Sequence, residues 1–332
     1  MTKEDNQKAQ QGITYVIMIF LFVIGIGVGI LVKSFFPTSS SPYTQIRDDG
    51  YEYINPLVDF ESVKSAGNDE LSNLQNSLDT YVNEKLNEDI TNISIYYKDL
   101  NSGAWIGINE DEKFSPASLL KVVDLILIYK LSENNPNLLT QKVTYTPSKI
   151  SLTQEVKPEN TLIEGEKYTL DELVNQLILY SDNAVIETIQ SYISYYLEDE
   201  IFDDLGISNP YLSESTNSMS VKEYASFFRI LYNASYLNKE MSTKALKLLS
   251  QTTYDKGIEK GVPDDITIAN KFGERELIDA ENEYKYQFHD CGIIYHPEKP
   301  YLLCVMTRGT SFEVLQGSIS GISKIVFNIV NK

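Results

Sequence analysis

Phe114-Ser-Pro-Ala-Ser118-Leu-Leu-Lys121 holds the one S-x-x-K of the chain. Two further short stretches follow it in order, Ser181-Asp182-Asn183 and then Lys271-Phe272-Gly273. A serine and a lysine three positions apart share one face of a helix, so the amine can reach the hydroxyl. A serine hydroxyl is a weak nucleophile until a neighbouring base takes its proton, and a lysine in that place can supply the base. S-x-x-K alone carries little information because both residues are common. Taken singly, Ser118 reads as a helix cap, Ser181-Asp-Asn as a turn of cap formers, and Lys271 as a strand-edge lysine. All three in this order, each beside the expected secondary structure, make those local readings untenable together.

The three stretches resemble the signature of the class A β-lactamase branch of the penicillin-recognising serine hydrolases, S-x-x-K, S-D-N and K-T-G. The first two are matched in full. In the third, Phe272 stands where the family has Thr or Ser. The resemblance runs from about Asn92 to the C-terminus. It implies an α+β fold in which a five-stranded antiparallel sheet, flanked by helices, lies beside an all-helical lobe, with the active site between them.

It also implies roles. Ser118 would be the nucleophile that becomes an acyl-ester, and Lys121 would take its proton or hold the hydroxyl. Ser181 would pass a proton to the leaving nitrogen. Lys271 would add positive charge toward the Ser181 hydroxyl and the substrate carboxylate. Asn183 would fix Lys121 and bind the substrate amide, while Asp182 would hold its own loop. Gly273 and Glu274 complete the substrate-binding set, the oxyanion hole being the backbone N–H groups of Ser118 and Glu274. Burial and a nearby cation both lower a lysine pKa, and Lys271 is the expected cation beside Lys121.

Two departures bear on activity. Phe272 lacks the hydroxyl that in the family contacts the substrate carboxylate, and Arg275 and Arg308 are the nearby candidates to replace it. The family's deacylating glutamate sits in an E-x-x-L-N stretch that is missing here. Between Phe202 and the helix expected at Val221, Glu214 is the one carboxylate in the second half of the segment. The implied function is a serine hydrolase attacking a β-lactam amide. The alternatives are a D-alanyl-D-alanine carboxypeptidase or transpeptidase acting on peptidoglycan stem peptides, and a non-catalytic penicillin-binding sensor.

The rest of the sequence fits such a protein. Ile13 to Val32 is a run of 20 residues without a charge. At about 1.5 Å rise per residue it matches a hydrocarbon core of about 30 Å. A signal peptide would have a shorter apolar region and an A-x-A-like site, which does not follow before Pro37. A retained single-pass anchor is the preferred reading. The flanking charges do not orient it, and the resemblance puts the body outside the cytoplasm. The expected layout is a cytoplasmic tail at 1–12, an anchor at 13–32, a linker at 33–68 and a catalytic domain at 69–332. A net charge of −19 argues against a nucleic-acid partner and against a basic patch for anionic lipid. His289 and His296 lie in no nucleophile–base motif, and two histidines with two cysteines make no zinc spacing, so neither metal nor cofactor is expected.

Alternating and β-rich stretches at Asn92–Leu100 and Ala104–Asn109 predict a hairpin turned by Asn101-Ser-Gly. Helices are predicted from Asn68, where Leu71, Leu74, Leu78 and Val82 recur at helical spacing, and from Pro116 through the apolar run Leu119–Tyr129. More are predicted at Thr169–Tyr180, from Ala184, at Val221–Tyr232, Ser242–Leu249 and Val314–Val330. Strands are predicted at Ile266–Lys271, Gln287–Tyr295 and Tyr301–Thr307. His-Pro-Glu-Lys-Pro at 296–300 turns the last two into a hairpin that sets Cys291 about opposite Cys304. A cross-strand disulfide and two buried thiols are both open there, the thiols being preferred.

Overall fold

Strand β3 (Ile90–Asp99), β4 (Trp105–Ile108), β9 (Ile268–Ile278), β10 (Tyr284–Ile294) and β11 (Tyr301–Gly309) form one antiparallel sheet in the order β4-β3-β11-β10-β9. The computed structural model describes residues 43–48, 50–62, 69–149, 162–212, 217–252, 254–278 and 284–332. All but Tyr43 and Ser62 of these belong to one unit, which takes in Thr44–Glu61 and the chain from Gly67 onward. The expected anchor at 13–32 and Glu214 lie outside the described residues.

Both faces of the sheet are covered, which is why β10 and β11 read as nearly unbroken apolar runs rather than alternating ones. On one face α1 (Asp69–Lys85) and α8 (Phe312–Val330) pack on Ile93, Ile95, Phe288, Leu303 and Val305. On the other, Cys291, Ile293, Leu302 and Met306 meet the helical block. Its centre is α2 (Lys121–Asn134), buried on every side from Val122 to Tyr129. Around it lie α3 (Leu170–Leu179), α4 (Ile186–Gln190), α5 (Tyr195–Leu205), α6 (Val221–Tyr232) and α7 (Lys239–Leu249). This is the α+β architecture expected from the sequence.

Several boundaries differ from the sequence reading, for physical reasons. The helix expected to start at Pro116 begins as a 3₁₀ turn, Ala117–Leu120, and turns α-helical only at Lys121. Ser118 and Lys121 still align, since i and i+3 eclipse in a 3₁₀ turn. Strands β9 and β10 extend past the sheet's core as a ribbon whose outer residues are polar or half-exposed, so hydropathy alone stopped both too short. Helix α5, unread in the sequence, is capped by the Ser194 side chain and ended by Gly206 at φ 65°.

The stretch read as linker is structured where it is described. Strands β1 (Tyr43–Arg47) and β2 (Leu57–Ser62) pair, as do the short strands β5 (Lys113–Phe114) with β8 (Met219–Ser220) and β6 (Lys142–Thr144) with β7 (Lys167–Thr169). The turn between β1 and β2 docks on the body. Ile54 is buried, Asn55 N donates to Tyr232 O at 2.8 Å, and Tyr295 Oη donates to Tyr53 O at 2.8 Å.

Cys291 and Cys304 are directly opposite in the β10–β11 register and are joined by a disulfide, which replaces the thiol reading. The bond closes a hairpin of 13-residue separation. Constraint of the unfolded chain by a loop of that size contributes about 2–3 kcal/mol. A Cys291→Ala/Cys304→Ala variant should therefore melt about 5–10 °C lower in a thermal scan. An unchanged melting temperature would show that the bond contributes nothing to the folded state.

Candidate active site

Three elements converge on the Ser181 hydroxyl. From the start of α2, Lys121 donates to Ser181 Oγ at 3.1 Å, to Asn183 Oδ1 at 2.7 Å and to the Ser181 carbonyl. From β9, Lys271 donates to the same Oγ at 3.1 Å and to Phe272 O at 2.8 Å. Both lysines are buried, at 3% and 1% exposure, an environment that almost never holds an unpaired lysine. Asp182 caps the short turn that follows, accepting from Ala184 N at 2.9 Å, so the Ser-Asp-Asn loop is held by its own middle residue.

The nucleophile turn is clamped from the sheet. Ser115 N donates to Gln287 Oε1 at 3.0 Å, Arg275 Nη1 donates to Ser115 Oγ at 2.7 Å, and His289 Nε2 lies 2.9 Å from Ser115 O. Thr307 N donates to His289 Nδ1 at 3.3 Å. That fixes the tautomer, leaving Nε2 as the donor to Ser115 O. Burial pushes His289 down to about 4, which keeps it neutral in this role.

Glycine is required at 273 by close approach. A Cβ there would lie 3.0 Å from Pro116 O and 3.1 Å from Leu119 N, so β9 runs against the backbone that carries Ser118. The expected oxyanion donors, the N–H groups of Ser118 and Glu274, thus come from two backbones in contact. Ala117 at φ 49° and Ser181 at φ 53° are both left-handed. Non-glycine residues in that region cost on the order of 1–3 kcal/mol each and collect at functional sites.

Burial pushes Lys121 down to about 7, and the charges of Asp124, Asp182 and Glu274 oppose the drop. Of the two causes expected from the sequence, burial leads, and the repulsion between the amines falls on Lys271. Lys271 is held well below its ordinary value, first by burial and then by Lys121. Lys121 is therefore close to half neutral near pH 7, the state in which an amine can accept a proton.

Asp124 was missed in the sequence. It lies one helical turn beyond Lys121, is buried, and accepts from Gln190 Nε2 at 3.5 Å. Burial pushes its carboxyl up to about 7. The signal was present as a single acid inside the otherwise apolar run Val122–Tyr129, where a charge is costly without a purpose.

The departure at Phe272 also has a defined place. The Phe272 ring is buried, stacks on Tyr254 with centroids 3.8 Å apart, and its centre lies 4.0 Å from Lys271 Nζ. An aromatic face thus takes the place of the expected hydroxyl. Arg308 is engaged elsewhere, donating to Asn92 Oδ1 at 3.2 Å and Lys113 O at 2.9 Å. Arg275 is spent on the Ser115 hydroxyl described above.

Solved structures share this architecture. PBP-A aligns at 20% identity over 79% of this chain and 97% of its own, with a TM-score of 0.66. A class A β-lactamase from Mycobacterium abscessus aligns at 20% identity over 78% of this chain and all of its own, with a TM-score of 0.65. A PBP-A variant determined as an acyl-enzyme with penicillin G aligns at 21% identity over 79% of this chain and 97% of its own, TM-score 0.63. No curated protein matches the chain by sequence. The family model described as "Beta-lactamase enzyme family" matches residues 74–330, a span that contains all three motifs and all five strands of the sheet, and the chain belongs to that family.

Proposed function

We propose that the protein is a serine hydrolase that works through an acyl-ester on Ser118, with an amide of the β-lactam or stem-peptide kind as acyl donor. The observation that carries this reading is the Ser181 hydroxyl held between two buried amines, beside the turn that presents Ser118. Neutral Lys121 takes the Ser118 proton as Oγ bonds to the carbonyl carbon. The oxyanion forms against the N–H groups of Ser118 and Glu274. As the C–N bond breaks, the proton held by Lys121 passes through Ser181 to the leaving nitrogen, so proton and electron pair both end on the departing amine. Water then releases the acyl group and restores Ser118. The penicillin G acyl-enzyme known for a PBP-A variant is a precedent for the first half of this cycle in a protein of the same fold.

We place the body outside the cytoplasm, tethered by 13–32, and the Cys291–Cys304 disulfide supports an oxidising compartment. The second reading is a peptidoglycan D,D-peptidase, favoured by the missing E-x-x-L-N stretch. Turnover of nitrocefin against release of D-alanine separates the two.

Intact-mass measurement after incubation with penicillin should show one adduct, located on Ser118. Among the described residues the Ser118 side chain makes no hydrogen bond, so Ser118→Ala should fold normally and take up no label. Lys121→Arg should also fail to acylate although it keeps the charge, because a guanidinium stays protonated. An adduct on Ser118→Ala, or acylation of Lys121→Arg at the parental rate, would overturn the assignment.

The pH profile follows from the same step. Lys121 must be neutral, so the acylation rate should rise about tenfold per unit below about pH 7 and level off above it. Asp124 stabilises the charged amine, so Asp124→Asn should move this acid limb to lower pH. A flat profile from pH 5 to 8, or a limb that moves the other way, would show that Lys121 is not the base.

A further inference from the structure

One face of β9 runs the length of the site. Successive side chains on a strand alternate, so Lys271, Gly273 and Arg275 leave β9 on the same side. Each meets a different part of the site. Lys271 donates to Ser181 Oγ, Gly273 abuts Pro116 O and Leu119 N, and Arg275 Nη1 donates to Ser115 Oγ at 2.7 Å. The Ser181 hydroxyl marks the place of the leaving nitrogen, and the N–H groups of Ser118 and Glu274 mark that of the oxyanion. The acyl chain then departs from the carbonyl carbon on the side away from Ser181, along β9 toward Arg275. At about 3.4 Å per residue, Arg275 lies about 14 Å beyond Lys271 on the strand.

Arg275 is exposed and carries a charge without a counter-ion. Its bond to Ser115 uses one of the five N–H donors of a guanidinium. Among the described residues no carboxylate forms an ion pair with it. Nearby cations are paired, Arg308 with Glu112 at 3.6 Å and Lys113 with Glu223 at 2.5 Å. The pleat accounts for the difference. On its own face Arg275 has Gly273 and Leu277 along β9 and Gln287 across the strand, while Glu274 and Glu276 leave β9 on the other side. The chain has 47 acidic residues against 28 basic ones, yet none of the described acids is spent on this arginine.

The guanidinium is also held before any substrate arrives. Ser115 is clamped through its N–H by Gln287 and through its carbonyl by His289, so its hydroxyl is a fixed anchor. Anchored there, Arg275 is kept from the leaving side. Its planar fork presents the remaining donors in the geometry that a carboxylate accepts. Fixing a long side chain in advance removes part of the ordering cost of binding.

We propose that Arg275 sets the substrate class: an amide acyl donor with a carboxylate on its acyl side, bound by the N–H groups that Ser115 leaves unused. In peptide terms, an acidic side chain or a free carboxylate lies on the residues before the scissile amide. The proposal rests on the acyl-serine reading above.

Penicillin G and carbenicillin share one ring system and one leaving nitrogen, and differ by a single carboxylate on the acyl side chain. Second-order acylation of Ser118 by each should be read by intact mass on the full chain, on Arg275→Gln and on Arg275→Lys. The ratio of carbenicillin to penicillin G cancels any loss from a loosened nucleophile turn, which slows both reagents alike. In Arg275→Gln this ratio should fall by about 3- to 10-fold. In Arg275→Lys, which keeps the charge, it should stay closer to the parent. A third comparison needs no variant and keeps the test open if Arg275→Gln fails to fold: the parent should react faster with carbenicillin than with the methyl ester of its acyl-side carboxylate. A ratio unchanged in Arg275→Gln, an equal fall in Arg275→Lys, or an ester that reacts as fast as carbenicillin would overturn the proposal and leave Ser118 standing as the nucleophile. Failure of all three reagents to acylate the parent would instead overturn the acyl-serine reading, and this proposal with it.

Discussion

Two lysine side chains, Lys121 and Lys271, are buried on one serine hydroxyl, and the rest of the site follows from that constraint. A single buried ammonium costs several kcal/mol of desolvation even after relaxation, and two side by side repel as well. The molecule meets the cost by letting the amines lose charge and by supplying acceptors. Lys121 has Asn183 Oδ1 and two oxygens of Ser181, and Lys271 has Phe272 O and Ser181 Oγ. The left-handed backbone at Ser181 is what lets its carbonyl and hydroxyl serve the same amine. If the site works as proposed, a folding problem and a catalytic requirement have one solution. The environment that makes a charged lysine expensive is the one that makes a neutral lysine available.

Such a site works only if Ser118 is held still relative to it, and the sheet does this through backbone contacts. Gln287, His289 and Arg275 each bond a different atom of Ser115, and Tyr224 Oη donates to Leu119 O at 2.9 Å on the far side of the turn. The turn carrying Ser118 is therefore tied both to β9–β10 and to α6. His289, the residue type most often associated with proton transfer, is here a neutral strut. It is locked by Thr307 N on one nitrogen and committed to Ser115 O on the other.

The sequence made the candidate site legible because its geometry is local. Ser118 and Lys121 are one turn apart, Asp182 and Asn183 flank a turn, and Lys271 and Gly273 share one face of a strand. The five-stranded sheet was legible for a different reason, since strands buried on both faces must be apolar throughout. What escaped was whatever hydropathy does not price. The outer arms of β9 and β10 are polar because they project past the core. Helix α5 is acidic on its outer face, although Ser194, Gly206 and the spacing of Leu197, Ile201 and Leu205 marked it. The docking of residues 51–57 was legible, because Tyr51-Glu-Tyr-Ile-Asn-Pro-Leu is apolar enough to pack on the body, but the bonds to the Tyr232 carbonyl and the Tyr295 hydroxyl that fix it there are announced by no pattern. Phe272 was legible as a departure, but its stacking on Tyr254 and its face toward Lys271 came only with the fold.

Asp124 links these levels. It sits on the central helix α2, buried along with its neighbours from Val122 to Tyr129, one turn beyond Lys121. Burial displaces both its carboxyl and the Lys121 amine to about 7; the Asp124 charge leads in drawing Lys121 back, whereas for Asp124 the Gln190 hydrogen bond does so ahead of the Lys121 charge. Groups coupled in this way take up and release protons as a pair rather than singly. In the proposed mechanism, the proton leaving Ser118 therefore enters this coupled pair rather than Lys121 alone. The same residue keeps the helix from closing into a wholly apolar core, and what it costs in packing it returns as a poised proton.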